Sequence, residues 1–157
     1  MTTHLTLFAD YHQIQVKDEA FDGDLGVAWT HEAWVDGIAV AGGAVAVGTE
    51  DNLDVCVDVE ILGAEPADVG HAFDHVVEAS LSISSGRVVV MGCTDYLPDA
   101  ARFEVPAGAI RVRASRSYLD TPDCTDGADA TELVRLQLWP APLAGPRVVK
   151  RRATPQP

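Results

Sequence analysis

Several features that would indicate a membrane protein, a disulfide scaffold or a nucleic-acid-binding protein are scarce in this 157-residue sequence. No apolar run approaches the roughly 20 residues that a transmembrane helix needs. The three cysteines, Cys56, Cys93 and Cys124, are widely spaced and form no C-x-x-C pair. This pattern argues against a disulfide scaffold and for a reducing compartment. Only 11 residues are Lys or Arg, so the chain as a whole should repel nucleic acid.

Aromatic residues are also few, at 6% of the chain, whereas apolar residues of all kinds make up 47%. Val and Ala must therefore fill most of the core, and a high Val content without long runs of helix formers favours strands. A chain of this length is expected to form one domain. Because Met1 to Leu7 lack the basic start and apolar core of a signal peptide, the expected location is the cytoplasm.

The net charge of −13 is concentrated in the first half of the chain. Residues 1–86 contain sixteen Asp or Glu and a single base, Lys17, whereas residues 87–157 contain eight acids and ten bases. Such a distribution attracts basic surfaces. Acidity that serves only solubility is the alternative explanation.

Alternating apolar and polar residues predict a series of short strands. His4 to Ala9 and Tyr11 to Val16 form either one strand that bends at Asp10 or two strands. The clearest strand is Asp54 to Leu62, where the odd-numbered residues from Val55 to Ile61 should face the core and the even-numbered ones should face water. Turn residues recur about every 8 to 12 positions. The predicted fold is a mainly β, single-domain antiparallel β-sandwich over residues 1–149, with one short helix near residues 30–39; a closed barrel is the alternative.

The predicted helix, Trp29 to Ala39, is capped by Thr30. Its apolar face should place Trp34 in the core and leave Trp29 exposed at its beginning. Residues 150–157 begin with Lys-Arg-Arg and are expected to form a basic, disordered tail.

The region around this helix carries a resemblance to a known family. The matching residues are Tyr11-His12-Gln13 with Ile14 and Val16, Trp29-Thr30, Glu32-Ala33, Gly37, Ala39 and Gly43-Ala44. In these residues, and in a looser strand-turn-strand unit near Phe103 to Ala114, the chain resembles the competence protein J family of bacterial nuclease inhibitors. The resemblance implies a small cytoplasmic protein that binds a DNA-entry nuclease and blocks it. It implies no individual inhibitory residues.

A row of carboxylates is the first candidate partner-binding surface. Asp54, Asp58 and Glu60 share one predicted strand face, at about 6.6 Å per two residues. Asp74 and Glu78 would join them if their strand is a neighbour. Such a row resembles the phosphates of a nucleic-acid strand, so it can fill the basic groove of a nuclease. An ordinary solvated strand face is the alternative.

The acidic loop before the helix is the second candidate surface. Asp22 and Asp24 supply charge there, and Trp29 supplies an aromatic anchor. The expected partner is a basic protein such as a nuclease; neither nucleic acid nor a membrane is expected to bind directly, and homo-oligomers are possible.

Catalytic and metal sites are less well supported. His71, Asp74 and His75 are zinc-ligand types, but residues four apart on a strand lie about 13 Å from each other, so no metal or cofactor is predicted. Acidic neighbours should raise the thiol pKa of Cys93 and Cys124 and keep both inert. An enzyme or small-ligand-binding protein that uses the Cys93–Tyr96 loop, and a structural homo-oligomer subunit, are the alternative functions.

Overall fold

The computed structural model describes residues 2–50, 52–68, 72–117 and 132–152. In these residues, eleven strands build two sheets and one α-helix precedes the third strand. The strands are β1 (Thr2–Phe8), β2 (Gln13–Asp18), β3 (Ile38–Val40), β4 (Ala44–Gly48), β5 (Asp54–Ile61), β6 (His75–Ile83), β7 (Arg87–Gly92), β8 (Ala101–Glu104), β9 (Gly108–Ser117), β10 (Leu133–Pro140) and β11 (Arg147–Lys150). The helix is α1 (His31–Asp36), and short 3-10 turns occupy Asp10–His12, Gly26–Ala28 and Leu97–Asp99.

The two sheets confirm the predicted mainly β sandwich. The six-stranded sheet has the order β1-β5-β10-β9-β6-β11, and the five-stranded sheet has the order β3-β4-β2-β7-β8. Most pairs are antiparallel, but β5 and β10 run parallel. Val55, Val57 and Val59 face the shared core and are fully buried, as their alternation predicted.

The helix is shorter than predicted. Thr30 caps it as expected, because its hydroxyl accepts a hydrogen bond from the Ala33 backbone N–H at 3.1 Å. Gly37 then takes a left-handed conformation with φ of 80°, which ends the helix and lets Ile38 begin β3. The prediction that Trp34 is a core residue is wrong, since this side chain is 67% exposed.

One cysteine differs from expectation. Cys56, on the outer face of β5, is disulfide-bonded, so the prediction of wholly reduced cysteines is wrong and the argument for a reducing compartment loses this support. Cys93 is a free thiol, and Cys124 lies outside the described residues.

The basic residues assigned to the tail pack against the domain. Lys150 ends β11, Arg151 forms an ion pair with Asp36 at 2.6 Å, and Arg152 forms one with Glu50. Residues 153–157, the rest of that tail, lie outside the described part of the chain. No helix among the described residues is long and apolar enough to cross a membrane.

Candidate functional site

The carboxylates of β5 do not form an open row. Asp54 is exposed, but Asp58 lies 2.6 Å from His4 Nδ1 on the neighbouring β1. Glu60 accepts hydrogen bonds from Gln137 Nε2 at 3.0 Å and from Thr2 Oγ1 at 3.4 Å. Only Asp54 is therefore fully available to a partner.

The two remaining carboxylates lie elsewhere on the sheet. Strands β5 and β6 are separated by β10 and β9, so the neighbouring arrangement that would unite the five carboxylates is absent. Asp74 is half-buried just before β6. Glu78 is 5% exposed and bridges Arg111 at 3.2 Å and Arg113 at 2.8 Å. Its environment is that of a structural ion pair.

Part of the connection from β5 to β6 packs on the outer face of the six-stranded sheet. Residues 66–68 and 73 of this connection lie against arginines of β9 and β10. Arg113 donates a hydrogen bond to the Asp68 carbonyl at 2.7 Å, and the Arg135 guanidinium lies over the Phe73 ring at 4.6 Å. Arginines on the sheet thus hold the described parts of the connection in place.

Ion pairs in the fold offset part of the contrast in charge between the two halves of the chain. Acids from the first half pair with bases from the second: Glu19 with Arg87 and Arg102, Asp36 with Arg151, Glu50 with Arg152, and Glu78 with Arg111 and Arg113. Three acids near the second candidate surface differ. Within the described residues, Asp10, Asp22 and Asp24 form no ion pair. These three acids therefore add negative charge near that surface that no ion pair offsets within the described residues.

A strained turn lies beside these acids. Tyr11 and His12 have φ values of 57° and 58°, in the left-handed region that costs a non-glycine residue about 1–2 kcal/mol. Asp10 accepts hydrogen bonds from the Tyr11 backbone N–H at 3.1 Å and from Thr94 Oγ1 at 2.8 Å. Thr49 donates its N–H to the His12 carbonyl at 2.9 Å. These contacts hold the strained turn, which leaves Tyr11 69% exposed.

The turn forms one wall of an apolar cleft, which we call the aromatic cleft. It has a volume of about 200 Å³ and is lined by Tyr11, His12, Gln13, Trp29 and Trp34. Trp29 is half-buried, packs on the cluster around Leu25 and Ala39, and directs its indole N–H at Gln13 Oε1, 3.5 Å away. Trp29 is thus anchored while Trp34 stays exposed, the reverse of the predicted assignment.

A larger polar groove adjoins the aromatic cleft along β2. It has a volume of about 380 Å³ and shares Tyr11 and Gln13 with the cleft. Asp24 lines this groove and accepts a hydrogen bond from the Gly26 N–H at 2.7 Å. Asp22 is exposed on the same loop. Lys17 also lines the groove, and its burial lowers the pKa of its ammonium group.

Cys93 lines the polar groove but is poorly suited to nucleophilic catalysis. Burial first, and then the Asp10 carboxylate, raise the pKa of its thiol, so the reactive thiolate is disfavoured. The guanidinium of Arg102 is bound to Glu19 at 2.6 Å and to the Leu97 carbonyl at 2.9 Å, so it is not available to stabilise a thiolate.

The histidines considered for metal binding are not assembled into a site. His75 is 2% exposed, and its Nε2 lies 2.7 Å from the Asp36 carbonyl while its Nδ1 accepts the Arg152 N–H at 3.1 Å. His71 lies outside the described residues. Across 2–50, 52–68, 72–117 and 132–152, no group of three or more His, Cys, Asp or Glu residues has an arrangement that would hold a metal.

Comparison with known proteins finds likeness in structure alone. No protein-family model and no curated protein matches the sequence. The crystal structure of ComJ from Bacillus subtilis, inhibitor of the DNA degrading activity of NucA, aligns with a TM-score of 0.70 at 15% identity, over 88% of this chain and 96% of that one. Crocagin biosynthetic gene J aligns with a TM-score of 0.59 at 16% identity, over 89% of this chain and 97% of that one. The chain thus shares the fold of ComJ.

Proposed function

We propose that this protein binds a nuclease and inhibits it by occluding the basic groove that nucleic acid normally fills. The main observation behind this proposal is the aromatic cleft. There, exposed Tyr11 and Trp34 lie near Asp10, Asp22 and Asp24, which form no ion pair within the described residues. A fold shared with an inhibitor of NucA supports the choice of partner. Local negative charge also disfavours direct binding of nucleic acid.

The proposed docking surface differs from the carboxylate row. It comprises the aromatic cleft together with Asp22 and Asp24. Asp54 begins β5 in the six-stranded sheet, whereas the cleft lies on β2 of the five-stranded sheet, so Asp54 lies outside this surface. Asp58 and Glu60 contribute at most a weaker electrostatic attraction for the partner, since both are already hydrogen-bonded within the sheet.

The two kinds of residue have different roles in the complex. Unpaired acids steer a basic partner and mainly raise the association rate. Desolvated aromatic side chains are typical hot spots and mainly slow dissociation. A strained turn that persists in a folded protein is often found at a functional site, and here it supplies the exposed Tyr11.

The test measures DNA cleavage by NucA, and by nucleases from the same genome, as this protein is added. We expect inhibition that saturates near one inhibitor per nuclease, and a Trp34→Ala variant that needs at least about ten-fold more protein, as for a hot-spot residue. Tyr96→Ala is the matched control, because Tyr96 is 70% exposed on another loop. Equal inhibition by the two variants would exclude the aromatic cleft as the docking surface.

A second comparison tests the acidic rim. Asp22→Asn with Asp24→Asn should slow association at low salt, and the difference should shrink near physiological salt, where the Debye length is about 8 Å. Asp99→Asn with Glu104→Gln removes the same charge from two exposed residues outside the docking surface and should have a smaller effect. Identical association rates for the two double variants would remove electrostatic steering from the mechanism.

A further inference from the structure

Arginine stacking on aromatic rings recurs inside this protein. Arg113 lies over Trp139 at 5.2 Å and Arg135 lies over Phe73 at 4.6 Å. Among the described residues, no Lys or Arg stacks in this way on Tyr11, Trp29 or Trp34. The aromatic cleft therefore presents ring surfaces that the protein's own cations leave open.

The surroundings of the cleft suit a cation of one particular kind. Asp10 fixes the turn that carries Tyr11, and Asp24 lines the adjoining groove; neither forms an ion pair within the described chain. The cleft itself exposes little polar surface, so an entering group is held mainly by contact with the rings. A guanidinium is more weakly hydrated than an ammonium and stacks flat on aromatic rings.

We propose that the aromatic cleft is a receptor for an arginine side chain of the partner protein, held by stacking on Trp34 and Trp29 and by the field of the neighbouring acids. This rests on the proposed function, since an arginine lining a nuclease groove would be the natural occupant. The Gln13 side chain, whose oxygen already faces the Trp29 indole at 3.5 Å and Gln15 Nε2 at 3.2 Å, forms the polar end of the cleft.

The experiment titrates the whole protein with N-acetyl-arginine amide and follows the three tryptophan indole N–H signals by NMR. N-acetyl-citrulline amide is the matched probe, because it has nearly the same shape and no charge. We expect the Trp29 and Trp34 signals to shift saturably. Trp139 is buried beneath Arg113 and should not shift. Arginine should bind about two- to five-fold more tightly than citrulline, the range for an exposed cation–π contact, and more tightly than N-acetyl-lysine amide.

Two variants sharpen the result. Trp34→Leu should abolish the response of Trp29, whereas Trp34→Phe should keep part of it, because a ring remains. Equal binding of citrulline, tighter binding of lysine, or no saturable shift with tens of millimolar arginine amide would each overturn the proposal.

This titration contains no nuclease, so its failure is separable from failure of the proposed function. Nuclease inhibition without arginine binding would overturn only the arginine receptor. Arginine binding without inhibition of any nuclease tested would leave the receptor standing and overturn the inhibitory function.

Discussion

Replacing Glu78 distinguishes a partner-binding role of its carboxylate from a structural role. The strand pattern predicts that Glu78 binds a partner, whereas in the structure Glu78 bridges two buried arginines. Removing one partner of a buried ion pair destabilises a protein by about 3–5 kcal/mol. Arg111 and Arg113 also bind backbone carbonyls, so for Glu78→Gln we expect the low end of that range, about 3 kcal/mol. With an m-value of about 2 kcal/mol/M, the urea midpoint should fall by about 1.5 M.

The assay is urea unfolding followed by tryptophan fluorescence, with Asp54→Asn as the control. Asp54 is exposed at the beginning of β5 and its replacement should change the free energy of unfolding by less than about 0.5 kcal/mol. Below its unfolding transition, the Glu78→Gln variant should inhibit the nuclease normally. A Glu78→Gln variant that is as stable as the parent but inhibits poorly would refute the structural role and return Glu78 to the binding surface.

Three further predictions concern the strained turn and two buried titratable groups. Tyr11→Gly and His12→Gly should leave the free energy of unfolding unchanged or raise it by up to about 1 kcal/mol, because glycine removes left-handed strain; a loss above 1 kcal/mol in urea unfolding would contradict this. Burial lowers the pKa of His75 from its ordinary 6.5, so stability should fall as pH drops below about 6.5, and His75→Gln should lose that dependence. Burial of Asp18 opposes ionisation, but hydrogen bonds from Ser85 and Ser84 outweigh it and lower its pKa. The advantage of the parent over Asp18→Asn should therefore be complete above about pH 4 and shrink in thermal unfolding at lower pH.

Much of the local structure could be predicted because it depends on neighbouring residues. The alternation in β5 correctly placed Val55, Val57 and Val59 in the core, since successive side chains of a strand point to opposite faces. The prediction that the other face is open to water is wrong for Cys56, which is 2% exposed. Thr30 correctly predicted the beginning of α1. Gly37 likewise indicates the end of α1, but the apolar spacing through Ile38 favours a longer helix. In the structure, Ile38 reaches the core from β3 instead.

The candidate site was only partly predictable. The acidic loop and Trp29 carried a composition signal, and the resemblance included Tyr11-His12-Gln13 without assigning these residues a role. Asp10 is the one local residue that holds the left-handed turn at Tyr11. The other contacts come from Thr49 and Thr94 in distant segments, so the turn could not be predicted from its own residues. The exposure of Trp34 likewise depends on how the short helix lies on the sheet.

The sequence by itself determined where most strands lie, which of their faces meet the core, and which residues are acidic. Only the tertiary structure decided which strands are neighbours. Gln137 donates a hydrogen bond to Glu60, 77 residues away in the sequence. Because β10 and β9 lie between β5 and β6, Glu78 is not a neighbour of the β5 carboxylates. The period of a strand is a property of its backbone and is visible locally. The choice of neighbours depends on burying the apolar faces of the whole chain together, so no single segment encodes it.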